Sequence, residues 1–122
     1  FFLSKFPTSI FKKGIKRYGD IILPMDESLI LVAIDISNRT YLNYQVDGLK
    51  DKVGDFDSEL IEEFFFAFTR SFPLTLHIKK LEGKNTHHIL EAIFKAFARS
   101  LKEALTLDPE YIDEIPSSKG ML

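Results

Sequence analysis

From Ser28 to Ser37 the chain reads SLILVAIDIS, in which the branched residues leucine, isoleucine and valine alternate with their neighbours closely enough to predict a strand. An earlier stretch, Ile15–Leu23, predicts another strand and leads into PMDE. NRTYLNYQV, residues 38–46, is expected to pair with SLILVAIDIS. DISNRTYL then becomes a hairpin with Ser37 and Asn38 at its turn, where asparagine tolerates a left-handed backbone. KDKVGDFDSE is a polar connector, and Ser58 is the expected N-cap of a first helix, with Glu59 and Glu62 favourable in its first turns. Leu60, Ile61, Phe64, Phe65 and Phe68 recur at helical spacing, and Pro73 marks the end of that helix. LTLHIKKLEG is a further strand, closed by Gly83, and a second helix spans about Thr86 to Leu105. On this helix Ile89, Leu90, Ile93, Phe94, Phe97 and Leu101 form the expected core face. The order is β-β-β-α-β-α, an α+β class with a mainly antiparallel sheet and two helices on one face. Residues 1–14 are assigned to a linker, 15–107 to the folded unit and 108–122 to a loop-rich tail.

Composition narrows the chemistry. The chain has 122 residues, 45% of them apolar, which suits one globular domain with a modest core. The net charge of −2 gives no electrostatic case for nucleic acid or an acidic membrane surface. No cysteine is present, which excludes disulfides, cysteine-based zinc sites and thiol catalysis. Any metal ion would have to be held by histidine and carboxylate, a donor set for Mn²⁺ or Zn²⁺. No apolar run reaches the roughly 20 residues that span a bilayer.

The second helix opens with NTHHILEAIFKAF. On a helical wheel His87, His88, Glu91 and Lys95 fall on one side, opposite the apolar stripe, and spacings of three and four stack them. Such a helix end can offer two imidazoles to two neighbouring ions. The same pattern is also what an ordinary solvated helix start looks like, and spacing does not decide between the two. HHxxE is not the HExxH of zinc proteases. His77, in a strand, either faces the same cavity or packs locally. Glu63 and Phe66 lie off the apolar stripe of the first helix, Glu63 as a solvated carboxylate and Phe66 as a packed or interface aromatic. Arg17, Arg39 and Lys119 sit near breaks in regular structure, and Ser117–Gly120 could hold a phosphate. Singly, each is also an ordinary surface charge.

The segment LTLHIKKLEGKNTHHILEAIFKAFARSLKEAL resembles imidazoleglycerol-phosphate dehydratases. GIKRYG, PMDESL, DISNRTYL, KVGDFDSELIEEFF and IPSSKGML match the family in order along almost the whole chain. The resemblance implies a hydro-lyase of histidine biosynthesis that converts imidazole glycerol phosphate to imidazole acetol phosphate through a metal-stabilised imidazolate. It implies two Mn²⁺ ions per site, a cytoplasmic 24-subunit homo-oligomer with sites between subunits, and no nucleic-acid or membrane partner. It also implies a polypeptide of two similar halves of the ribosomal protein S5 domain 2-like fold. This chain matches the second half, and the DHHTVED motif and upstream DH belong to the first. The expectation is that the chain is a C-terminal half, inactive alone.

Carried over by position, His87, His88 and Glu91 match metal ligands. Lys95, Arg17, Arg39, Ser117 and Lys119 match substrate-binding residues, the last four around the phosphate. No general acid or base is assigned to this half, where Glu91 supports the metal site. Glu63 stands where the family often has a ligating histidine, so a carboxylate is expected to serve there. The competing expectation is a non-catalytic metal- or phosphate-binding assembly module.

Overall fold

The computed structural model describes residues 14–109. The tail assignment 108–122 and the linker assignment 1–14 fall almost wholly outside them, as do Ser117 and Lys119. Six strands and two helices follow in the order β1 Tyr18–Met25, β2 Ser28–Asp35, β3 Tyr41–Gln45, β4 Lys52–Val53, β5 Phe56–Asp57, α1 Glu59–Ser71, β6 Thr75–Glu82 and α2 Thr86–Leu105. The class is α+β, with both helices on one face of a mixed, mostly antiparallel sheet of order β1-β2-β6-β3.

β1 and β2 are joined by a two-residue turn, Asp26-Glu27, and pair antiparallel from Tyr18↔Asp35 to Met25↔Ser28. Asp26 takes the positive φ, 51°, that so short a turn imposes. Pro24 is tolerated because β1 is an edge strand. The alternation in β2 is complete. Ile30, Val32 and Ile34 are buried under the helices, and Leu29, Leu31 and Ala33 face the other side half-covered.

The expected hairpin between β2 and β3 does not form. β6 lies between them, antiparallel to β2 and parallel to β3. The physical reason is the crossover: α1 joins β3 to β6, and such a helical connection returns the chain as a strand parallel to β3 and beside it, with Leu76 and Ile78 fully buried. The link from β2 to β3 instead steps across the start of β6. Tyr41 N–H donates to the Leu74 carbonyl at 3.2 Å, and the Thr40 hydroxyl donates to the Thr69 carbonyl at 2.9 Å. Asn38 supplies the left-handed residue of that link, at φ 62°.

Within the polar connector, β4 and β5 form a two-rung hairpin. Ser58 precedes α1, but its hydroxyl does not cap the helix. It donates instead to the carbonyls of Lys50 (2.6 Å) and Asp51 (3.1 Å), tying the connector to the helix start. On α1, Ile61, Phe65 and Thr69 are buried. Leu60 and Phe64, expected in the core, are 46% exposed, and Phe66 is 43% exposed.

α2 begins at Thr86 and ends at Leu105, as the spacing predicts. Its buried surface is wider than the expected stripe. Ala92, Ala96, Ser100 and Ala104 recur every fourth residue and are buried, so small side chains let the helix lie close on the sheet. Ser100 Oγ reaches the Val32 carbonyl at 3.3 Å. A Cβ on Gly19 of β1 would stand 2.0 Å from the Ser100 carbonyl oxygen. Phe94, expected in the core, is 37% exposed. It belongs to the seam between helices, where Phe65 stacks on Phe94 at 5.5 Å and meets Phe97 edge-on at 5.1 Å. Phe68 meets Phe97 at 5.1 Å one turn on, so the helices run in the same direction.

Two substitutions test this packing. Gly19→Ala forces α2 off the sheet and is expected to destabilise by about 1–3 kcal/mol in urea unfolding. Phe65→Ala empties the seam between the helices and is expected to cost about 3–5 kcal/mol. A loss below about 0.5 kcal/mol in either would contradict the described contacts.

Candidate metal and substrate site

Asn85 starts α2 from an extended conformation, and its side-chain oxygen accepts the His88 N–H at 3.0 Å. This cap settles the first turn, and the two histidines leave it in different directions. Their rings are 6.5 Å apart and inclined by 67°. The His87 side chain is 70% exposed and that of His88 31%.

Each imidazole has its own carboxylate. His87 Nε2 lies 3.4 Å from Glu91 Oε1, one turn along the helix. The other oxygen of Glu91 takes an ion pair from Lys95 Nζ at 3.0 Å, and Lys95 holds the Glu91 carboxyl below the usual range. His88 Nδ1 lies 2.8 Å from Glu27 Oε1, and His88 Nε2 is 3.5 Å from Asp26 Oδ2. Glu27 receives two backbone N–H groups at the start of α2, from Asn85 and Lys84. Hydrogen bonds from Asn85 and His88 hold its carboxyl far below the ordinary value. The bond to Glu27 in turn raises the His88 pKa.

Sequence reasoning missed Asp26 and Glu27 as neighbours of the histidines. Asp26 and Glu27 precede His88 by 62 and 61 residues, and no local spacing links a hairpin turn to a distant helix start. The available signal was the pair of acids itself, confined to a two-residue turn between alternating strands.

His87, His88, Glu91 and Lys95 are therefore brought together. An open cleft of about 530 Å³ lies beside His87, with Lys50, Lys52 and Lys84 around it, so its surroundings favour anions. His77 is not part of this group. It lies on the opposite sheet face from Leu76 and Ile78, bonded through Nδ1 to the Asn43 side chain at 3.2 Å and against the Tyr41 ring. Glu63 is exposed on α1. Among the described residues, no three His, Asp or Glu side chains converge as a metal-binding set.

Arg17 and Arg39 lie at the other end of the sheet. Arg17, at φ 74°, is held by backbone bonds to Ala104 and Ile36, and its guanidinium grips Asp35 at 2.7 Å. That bond raises the Arg17 pKa. Arg39 is exposed in the β2–β3 link, its N–H bonded to Ser37 Oγ at 3.2 Å. β1 lies between Arg17 and Asp26, so its eight residues separate the arginines from the histidines by about 26 Å.

Residues 6–101 match the family model described as imidazoleglycerol-phosphate dehydratase. The enzyme of that name from Caldicellulosiruptor saccharolyticus is 58% identical over 111 residues, which cover 91% of this chain and 56% of the relative. The crystal structure of imidazoleglycerol-phosphate dehydratase from Staphylococcus aureus superposes with a TM-score of 0.77 at 52% identity, covering 79% of this chain and 56% of that one. The Pyrococcus furiosus structure gives 0.73 at 41% identity, covering 80% and 55%. The chain thus spans about half the length of the curated relatives it matches. On these matches, the chain belongs to the imidazoleglycerol-phosphate dehydratase family.

Proposed function

We propose that this chain is one part of a hydro-lyase of histidine biosynthesis, one that dehydrates imidazole glycerol phosphate to imidazole acetol phosphate. The observation that carries the reading is the start of α2, where two adjacent imidazoles diverge and each meets a separate carboxylate. Family membership supports the same reading.

The donor set fits a hard or borderline divalent ion, since it consists of imidazole nitrogen and carboxylate oxygen with no sulfur. It is incomplete within one chain, because fewer than three such groups converge among the described residues. His87 with Glu91 makes one partial set, and His88 begins another. Glu63 offers a further carboxylate. The remaining donors come from the rest of a longer polypeptide or from another copy. Two bound Mn²⁺ ions would supply Lewis-acid stabilisation of negative charge on the substrate's imidazole ring, whose electrons could then help expel the hydroxyl from the side-chain carbon attached to it.

This chain's own residues divide the work. Lys95 orients Glu91 through their ion pair, and in this reading its ammonium also contacts the substrate. Arg17, Arg39, Ser117 and Lys119 bind the phosphate. Arg17 spends one edge of its guanidinium on Asp35, which fixes the direction of the rest. Remote binding of the phosphate orients the reacting carbons. The separation of about 26 Å between the arginines and the histidines far exceeds a three-carbon chain with a ring at one end, so one chain cannot contact both ends of the substrate. The complementary end then comes from the rest of a longer polypeptide or from another copy, and the proposed form is a cytoplasmic 24-subunit homo-oligomer with sites between subunits. The proton-transferring groups lie outside this chain's assigned residues. Among the described residues, no helix is long and apolar enough to cross a membrane.

The test is turnover by the full-length polypeptide that contains this chain. With Mn²⁺ added it is expected to dehydrate imidazole glycerol phosphate, to lose activity on chelation and to regain it on Mn²⁺ readdition. His87→Ala and His88→Ala are each expected to lower kcat/KM by more than about 100-fold, the upper end of what losing a ligand's supporting residue costs. Arg39→Ala removes a charge-assisted bond and is expected to lower kcat/KM by about 10–100-fold. No turnover by the assembled, Mn²⁺-loaded polypeptide would overturn the enzyme reading in favour of a non-catalytic module, for which Glu63 in place of histidine is the favouring observation.

A further inference from the structure

Glu27 receives more hydrogen bonds than a turn glutamate needs. Oε2 accepts the Asn85 N–H at 2.7 Å, the Lys84 N–H at 3.0 Å and the Ser28 hydroxyl at 3.0 Å. Oε1 meets His88 Nδ1 at 2.8 Å. One oxygen is thereby anchored to the backbone just before α2, and the other is aimed at an imidazole carried by the same helix. The carboxylate cannot rotate away from His88 without giving up the bonds at Oε2.

An ionised carboxylate only accepts hydrogen bonds, so the proton of a neutral His88 ring sits on Nδ1. Nε2 then presents a bare lone pair. The nearest oxygen of Asp26 is 3.5 Å from it, and the His88 side chain is 31% exposed. Among the described residues His87 has no equivalent second contact, since its Nε2 is the atom that meets Glu91 and its side chain is 70% exposed.

We propose that Glu27 is the positioning residue for His88, fixing its ring plane and its tautomer so that Nε2 is the atom offered to a divalent cation. The proposal rests on the reading of His88 as a metal donor. It makes the two adjacent histidines unequal. His88 is set before an ion arrives, and His87 is free to adjust. Carboxylates in this role are worth about 10–100-fold in metal affinity. The carboxylate also joins the β1–β2 turn to the start of α2, so a role in folding must be separated from a role at the ring.

A double-mutant cycle makes that separation, with Mn²⁺ as the probe. Free Mn²⁺ is followed by electron paramagnetic resonance in the full-length polypeptide containing this chain, as wild type, Glu27→Gln, His88→Ala and the double variant. Glutamine keeps an oxygen for the backbone N–H groups but turns an NH₂ toward Nδ1, which drives the ring proton to Nε2. The expected result is that Glu27→Gln weakens Mn²⁺ binding by about 10–100-fold where His88 is present and by less than about 2-fold where it is alanine. Two results overturn the proposal and leave His88 as a donor: unchanged affinity in Glu27→Gln while His88→Ala is weakened, or an equal loss in both backgrounds. Unchanged affinity in His88→Ala instead removes the donor reading itself. Should Glu27→Gln fail to assemble, ¹⁵N spectra of the histidine-labelled, metal-free wild type above pH 8 decide the matter. A protonated Nδ1 and bare Nε2 on His88 are expected, and the opposite tautomer overturns the proposal.

Discussion

The close seating of α2 on β1 and β2 is the constraint on which the rest of the structure depends. It requires a glycine at position 19, where any Cβ would collide with the helix backbone, and a stripe of alanine and serine on the helix. Once α2 lies that close, its first turn is carried to the β1–β2 turn. The Asn85 cap and the Glu27 carboxylate then hold the turn there. His87 and His88 are exposed to their different surroundings by this placement and not by any property of their own. The larger side chains are left for the other flank of α2, where Phe94 and Phe97 pack against Phe65 and Phe68.

The same geometry explains why the chain looks unfinished as a site. A strand of eight residues keeps the histidines and the arginines at opposite ends of the sheet. Under the proposed function each end serves one end of a small phosphorylated imidazole, and neither end suffices alone. The chain spans about half of its curated relatives, so further donors in the rest of such a polypeptide, or in a second copy, fit the proposal. Exposed Leu60, Phe64 and Phe66 on α1 are consistent with a molecule whose surface is not all meant for water.

Much of the fold was legible in the sequence. The bounds of α2, the strand character of residues 28–35 and 75–82 and the α+β order follow from periodicity that the packing then uses. What was not legible is non-local. The pairing of β3 with β6 instead of β2 depends on the helical crossover through α1, not on the turn chemistry of Ser37-Asn38. Phe94 leaves the expected core face while Ala92, Ala96 and Ala104 are buried, because closeness to the sheet rewards small residues, which a hydrophobicity count undervalues. At the site, the stacking of His87, His88, Glu91 and Lys95 was visible from spacing. Glu27 was not, because its partner lies 61 residues away. Spacing also could not tell a donor pair from a solvated helix start. The carboxylates beside each ring favour the former, and the likeness to the dehydratases supports it.

The most direct test of the central claim is to locate the ions. Crystals of the full-length polypeptide grown with Mn²⁺ and measured at the manganese absorption edge report metal position without reference to activity. The account predicts two separate anomalous peaks beside the start of α2, one within about 2.0–2.3 Å of a His87 ring nitrogen and the other equally near His88 Nε2. Anomalous density that avoids both imidazoles, in protein shown to contain bound Mn²⁺, would contradict it.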